Sequence, residues 1–332
     1  MRYQPRLKKD LPVEPITVNQ DRFSLDPPKY PQFVDLYKTQ RNQEWFETEI
    51  DFSKDLESWN TLSKDEQFFY KNTLATFANA DQVVLANVAG QLANELQFPE
   101  MIMNLAFQSH MEVIHSLTYN ESIKTLIRDP EERDYLFRSI LTNPIVKPKM
   151  EWSLVWLDPE VALADRLVAW TCVEGLFFAS SFASLNYARS KGILPGVSYS
   201  NEFIASDEAL HCVFSSMVYR ECKNQLTTDD IHDLVGSAVD IECEFVRQSL
   251  PYELSGMNAD LMQEHVKSQA DVLFHLLGQE PFYNIKTPFG FMFGFGLDGK
   301  TNFFERRVAD YVKSDASALK DAKFENAGDD LE

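Results

Sequence analysis

Two stretches set an acidic residue three positions ahead of a histidine inside a long apolar run. They are Glu112 and His115 in Met111-Glu112-Val113-Ile114-His115, and Glu208 and His211 in Ser206-Asp207-Glu208-Ala209-Leu210-His211-Cys212. On a helix, residues three apart project from one face, so each stretch offers a metal ion one carboxylate oxygen and one imidazole nitrogen. Tyr119 follows His115 by four, on nearly the same face and one turn along, where a redox-active phenol would lie beside the metal. With six His and 51 acidic residues in 332, chance places about one such pair. There are three, the third being Asp229/His232. That pair follows Leu226-Thr227-Thr228 and reads as the cap and first turn of a helix. The first two stand in apolar surroundings, where an unpartnered charge is costly. A bound cation resolves that difficulty.

Helices must position these residues. Ser63-Lys64-Asp65-Glu66 is a capping box opening a long helix through Phe77 and Val88, with Asp81 in the middle of its apolar stripe. That position favours a buried ligand over a solvated charge. A second helix, about 100–128, carries Glu112, His115 and Tyr119 and ends near Asp129-Pro130; 130–157 reads as shorter pieces. Asp158-Pro159-Glu160 is a cap with Pro at the first helical position. It predicts a helix through roughly 190 that is apolar on nearly every side, the mark of a bundle centre. Glu174 stands alone in its middle, a carboxylate that in such company is protonated or paired. The segment 199–223 carries Glu208 and His211, and further helices are expected near 228–249 and 258–277.

Around this body, residues 1–31 hold six of the 15 Pro and read as an extended arm. Residues 32–60 suggest a helical hairpin, in which Trp45 by itself is a packing residue. The helical domain is expected over 32–311, followed by a flexible acidic tail at 312–332. A net charge of −20 disfavours nucleic acid, whose phosphates need a basic surface. Cys172, Cys212, Cys222 and Cys243 show no paired-cysteine metal spacing and read as buried thiols in a reducing, cytoplasmic setting. No signal-peptide core opens the chain, and no uninterrupted run of about 20 apolar residues marks a membrane span.

Collected in order, the misplaced carboxylates are Asp81, Glu112 with His115, Glu174, and Glu208 with His211. The carboxylates of the two halves are spaced alike, and each half supplies one carboxylate followed by a carboxylate–imidazole pair. This matches the pattern of ferritin-like di-iron and di-manganese proteins, an all-α bundle with a di-metal carboxylate site in its core. Four carboxylates and two imidazoles, with no thiolate, suit iron or manganese.

The chain also resembles the radical-generating small subunit of class I ribonucleotide reductase across nearly all of 30–311. The resemblance is carried by Ala80-Asp81, Met111-Glu112-Val113-Ile114-His115, Val173-Glu174-Gly175-Leu176-Phe177-Phe178, Ser200-Asn201-Glu202, Ser206-Asp207-Glu208-Ala209-Leu210-His211 and Gly299-Lys300-Thr301-Asn302-Phe303-Phe304-Glu305. It implies that Asp81, Glu112, His115, Glu174, Glu208 and His211 are metal ligands and that Tyr119 is the radical tyrosine. It further implies that Trp45, Asp207 and Tyr311 form the radical relay. An O₂-activated pair of metal ions, iron in both positions or else Mn₂ or Mn/Fe, would oxidise Tyr119. The radical would then pass to a large catalytic subunit, docked through the C-terminal tail, that reduces ribonucleotides to deoxyribonucleotides. A homodimer is implied as well. Gln82 stands where the family usually has Gly, and the ending Asp330-Leu331-Glu332 is atypical. Phe178 and Phe182 could shield the radical, or simply be core aromatics. The rival readings on this scaffold are a di-iron oxygenase or desaturase, which has no use for Tyr119, Trp45 and Asp207 together, and an iron store, which would be about half this length and need no interaction tail.

Overall fold

The computed structural model describes residues 3–138, 142–250, 254 and 256–293. Tyr311, the 299–305 stretch and the 312–332 tail lie outside the described residues. Helices α1 (Pro31–Arg41), α2 (Asp55–Trp59), α3 (Lys64–Asn87) and α4 (Pro99–Leu126) come first, followed by the shorter α5 (Pro130–Phe137) and α6 (Lys147–Val155). Then come α7 (Leu163–Gly175), α8 (Ala179–Ser190), α9 (Pro195–Arg220), α10 (Thr228–Ser249) and α11 (Ala259–Leu276). Among the described residues no strand forms, so the fold is all-α. Helix α3 packs on α4, α7 on α9, and α4 meets α9 between the pairs, giving the two-by-two arrangement of a ferritin-like bundle.

The caps explain where the long helices begin. Ser63 Oγ accepts from the Glu66 backbone N–H at 3.2 Å and Glu66 accepts from Ser63 N–H at 2.8 Å, so the expected capping box opens α3. Helix α9 is capped from outside. Asp55 of α2 accepts from the backbone N–H of Gly196 and Val197 at 2.7 and 3.0 Å, a carboxylate at a helix N-terminus. Gly196 is required there, because a Cβ would lie 2.6 Å from the Asp51 carbonyl oxygen.

Three expectations need correction. Residues 32–60 are not a helical hairpin: α1 is followed by a 3-10 turn at Glu47–Glu49 and the five-residue α2, and Trp45 is buried just ahead of that turn. Asp158 caps a turn and not a helix. Its Oδ1 accepts from Glu160 N–H, but the arm then captures the backbone, with Lys8 N–H on the Glu160 carbonyl and Ala162 N–H on the Arg6 carbonyl. Helix α7 therefore starts at Leu163. The single helix expected through roughly 190 is two, interrupted at 176–178. Leu176 and Phe177 N–H both donate to the Cys172 carbonyl, at 2.8 and 3.1 Å, an extra residue in the turn that ends the helix. Gly175 lets this end approach α11, since a Cβ there would meet Leu273 Cδ2 at 2.7 Å. The 163–190 segment includes an 18-residue window with the hydropathy of a membrane span, yet every residue of that window is buried inside the bundle.

Residues 3–18 lie on the body. Tyr3 O–H and the Arg6 guanidinium and backbone N–H all donate to Asp165, which is fully buried in the first turn of α7. Glu14 accepts from the backbone N–H of Lys223 and Asn224 at 2.6 and 3.0 Å.

On α11, buried His265 lies 2.9 Å from Thr287 Oγ1 and bonds the Ala179 backbone. Burial pushes its pKa down from 6.5 to about 4. The unfolded chain therefore binds this proton more tightly. The stabilisation is intact above pH 6.5 and is lost as the pH falls toward 4, to the extent of ~3 kcal/mol. In urea unfolding at stepped pH, His265→Gln should flatten the stability curve over that window relative to the parental chain. An equal slope in both chains would contradict the neutral ring.

Candidate metal centre

Each of the four helices brings one carboxylate to a common point. Asp81 comes from α3, Glu112 from α4, Glu174 from the end of α7 and Glu208 from α9, with His115 and His211 beside them. All six are 2% exposed or less. Their donor atoms fall into two groups, Asp81–Glu112–His115 and Glu112–Glu174–Glu208–His211, each within 4.8 Å. Glu112 belongs to both. Both histidines turn Nδ1 inward: His115 Nδ1 lies 3.1 Å from Glu208 Oε1, and His211 Nδ1 lies 3.2 Å from both Glu112 Oε1 and Glu208 Oε2. The decoy pair stays apart. Asp229 is exposed in the first turn of α10, and the His232 ring packs on Phe274 and Phe282.

The donor set fits a metal pair on two counts. Both oxygens of Asp81 and of Glu112, Glu174 Oε2, Glu208 Oε1 and His115 Nδ1 are buried without a hydrogen-bond partner, a concentration native cores do not tolerate unless something else satisfies it. The charges agree. Burial, reinforced by Glu112, raises the Asp81 carboxyl well above the usual range, and burial does the same to Glu174. Burial alone would lower both imidazoles. Instead Asp207, Glu112 and Glu208 drive His115 well up, and Glu208 and Glu112 do so for His211. Glu112, despite burial, is pulled down to about 2 by His115 and His211. Asp81, Glu174 and both imidazoles thus hold protons more tightly than they would in water, and two divalent ions would match the four carboxylates. Metal uptake must then displace protons.

Around the cluster, Tyr119 is buried and its hydroxyl has no hydrogen-bond partner. Burial, then the charges of Asp81, Glu208 and Glu112, push its pKa well above the ordinary phenol value. Its ring stacks on Phe77 at 4.7 Å and 4°, and Phe77 in turn touches Phe178 and Phe182 at 5.3 and 5.0 Å. Beside His115, Trp45 Nε1–H donates to Asp207 Oδ2 at 2.9 Å, and the same oxygen lies 2.9 Å from His115 Nε2. The Trp45 and His115 rings stack 6.0 Å apart. Gln82, beside Asp81, is exposed, and its amide donates to Ser116 Oγ at 2.7 Å. Two contributors escaped the sequence reading. Gln108 Nε2 donates to Glu174 Oε1 at 2.7 Å, and Phe77 forms the flat wall of the Tyr119 pocket. Both had a signal: each lies four residues before a predicted ligand, on the same helical face.

A model of the family "Ribonucleotide reductase, small chain" matches residues 22–288. The chain belongs to that family. It is similar to the ribonucleoside-diphosphate reductase small chain of Nicotiana tabacum, 41% identical over 305 residues, covering 92% of this chain and 93% of that one. The Neurospora crassa small chain is 42% identical over 337 residues, covering 98% of this chain and 82% of its own length. Among solved structures, the ribonucleotide reductase Rnr4 homodimer of Saccharomyces cerevisiae aligns with a TM-score of 0.78 at 30% identity, over 90% of this chain and 92% of that one. Family membership disfavours the oxygenase and iron-storage readings and marks the chain as part of an oxidoreductase.

Proposed function

We propose that the chain is the radical-generating subunit of a class I ribonucleoside-diphosphate reductase. Asp81, Glu112, His115, Glu174, Glu208 and His211 hold two metal ions, iron by preference, with Mn₂ or Mn/Fe accepted by the same donors. When bound, the pair supplies a one-electron oxidant on reaction with O₂. One observation carries this reading: the hydrogen-bonded line Trp45–Asp207–His115 leads into the carboxylate cluster that Tyr119 adjoins. A store or an oxygenase has no use for such a line.

The residues divide the work. Tyr119 stays protonated at neutral pH, so it gives up electron and proton together, and Asp81 is the carboxylate whose charge bears on it most. Phe77, Phe178 and Phe182 exclude water from the oxidised ring. Asp207 accepts from His115 Nε2–H, which fixes the tautomer and leaves the Nδ1 lone pair for metal. The same oxygen accepts from Trp45, joining the site to an indole on the route outward. Gln108 orients Glu174.

The larger catalytic subunit is the partner for turnover, reached through Tyr311 and the 312–332 tail. For the homodimer contact we assign the outer face of α4, where Val113 and Leu117, one turn apart, are 43% and 45% exposed. Four free, buried cysteines suit a reducing cytoplasm.

Asp207→Asn tests the relay, because it removes the negative charge that Trp45 Nε1–H and His115 Nε2 share and leaves one acceptor oxygen in place of two. The paramagnetic resonance signal of Tyr119 should still form after metal loading and O₂ exposure. Nucleoside-diphosphate reduction with the larger subunit should drop about 10- to 100-fold. Undiminished turnover would refute the relay.

A further inference from the structure

The interruption between α7 and α8 separates Glu174 from Phe178 and Phe182, and it is held by charged side chains on helices outside the metal cluster. Lys149 of α6 and Glu242 of α10 are both fully buried. Lys149 Nζ donates to the Phe177 carbonyl at 2.7 Å, lies 2.6 Å from Glu242 Oε2 and sits 3.5 Å above the Phe245 ring. Glu242 accepts from the Ser180 hydroxyl and also from the Ser180 backbone N–H. The cation therefore sits at the carbonyl end of α7 and the anion at the N–H end of α8, each where the helix dipole favours it. The sequence reading picked out neither residue.

We infer that Lys149 and Glu242 are positioning residues for the Tyr119 pocket. By capping both broken helix ends they fix the start of α8, and with it the two rings that close on Phe77. The connection is short. Phe178 is the residue that caps α8, Phe182 N–H donates to the Phe178 carbonyl at 2.8 Å, and both rings touch Phe77, which stacks on Tyr119. A continuous helix through 176–178 would rotate Phe178 and Phe182 relative to Glu174 and open that wall. The role in radical protection rests on the reading of Tyr119 given above; the capping role does not.

A buried ion pair invites the plainer view that it only balances its own charge, and such pairs are often replaceable by neutral groups without loss of stability. The double variant Lys149→Met/Glu242→Gln separates the two views. It leaves no unpaired buried charge, so it should fold, but the Phe177 carbonyl loses its donor. In the metal-free protein, amide hydrogen exchange over 176–185 should quicken by about tenfold, the loss of one hydrogen bond, while 163–172 exchanges as in the parent. In the loaded protein the Tyr119 signal should form in normal yield and decay about tenfold faster with a small one-electron reductant. Parental exchange over 176–185 together with parental decay would overturn the proposal. If the double variant does not fold, Ser180→Ala, which removes only the hydroxyl bond to Glu242, is expected to quicken exchange in the same segment, and parental exchange there would overturn it equally. A parental chain that never yields a tyrosyl signal would refute the Tyr119 reading, while the exchange measurement still decides the capping claim.

Discussion

Tyr119→Phe is expected to leave a chain that folds, binds its metals and supports no nucleotide reduction. The substitution deletes one oxygen, and that oxygen is buried without a hydrogen-bond partner. Removing an unsatisfied polar atom from a core costs nothing and often stabilises, so the melting free energy should stay within about 1 kcal/mol of the parent or rise. The stack on Phe77 survives, because the ring does. What disappears is a buried phenol whose proton is held by burial and by the charges of Asp81, Glu208 and Glu112. Metal content, unfolding and the paramagnetic resonance signal can be followed on one preparation. Full activity in this variant would mean that the oxidising equivalent is not stored on Tyr119.

Glu208→Ala should empty or scramble the site. Glu208 stands 3.1 Å from His115 Nδ1 and 3.2 Å from His211 Nδ1, so it touches both halves. Metal analysis should give fewer than two ions per chain, and the Tyr119 signal should vanish with them. His232→Ala, made in parallel, removes the decoy histidine and should keep both metals. Two ions per chain with an unchanged spectrum in Glu208→Ala would end the ligand assignment.

The carboxylates were legible because burial is legible. Asp81 and Glu174 each interrupt a long apolar helix, and only a partner makes that tolerable. The pairing of Glu112 with His115 and of Glu208 with His211 follows from helical spacing alone. The interruption at 176–178 could not be read, since hydrophobic periodicity has nothing to register where every side is apolar. Lys149 follows Lys147-Pro148, and Glu242 alternates with Asp240 and Glu244. Both look like solvated surface charge until tertiary packing buries them. Asp158 misled for the opposite reason: its local cap signal is genuine, but the arm claims the backbone groups that a helix would have used. The stretch around Trp45 failed similarly, its apolar residues serving contacts across the bundle and not along a helix.

The clasp on Asp165 has a kinetic side. It joins residues 162 and 159 positions apart, and Glu14 reaches across 209 to Lys223. Contacts so distant in sequence contribute nothing until most of the intervening chain has condensed, because loop closure must come first. Tyr3, Arg6 and Glu14, synthesised ahead of every long helix, therefore wait without partners until α7 and the α9–α10 connection have formed. Buried Asp165 waits as well, its charge uncompensated. A segment made before any of the long helices is thus fastened only after helices far along the chain have formed, and the bundle gains this part of its stability late.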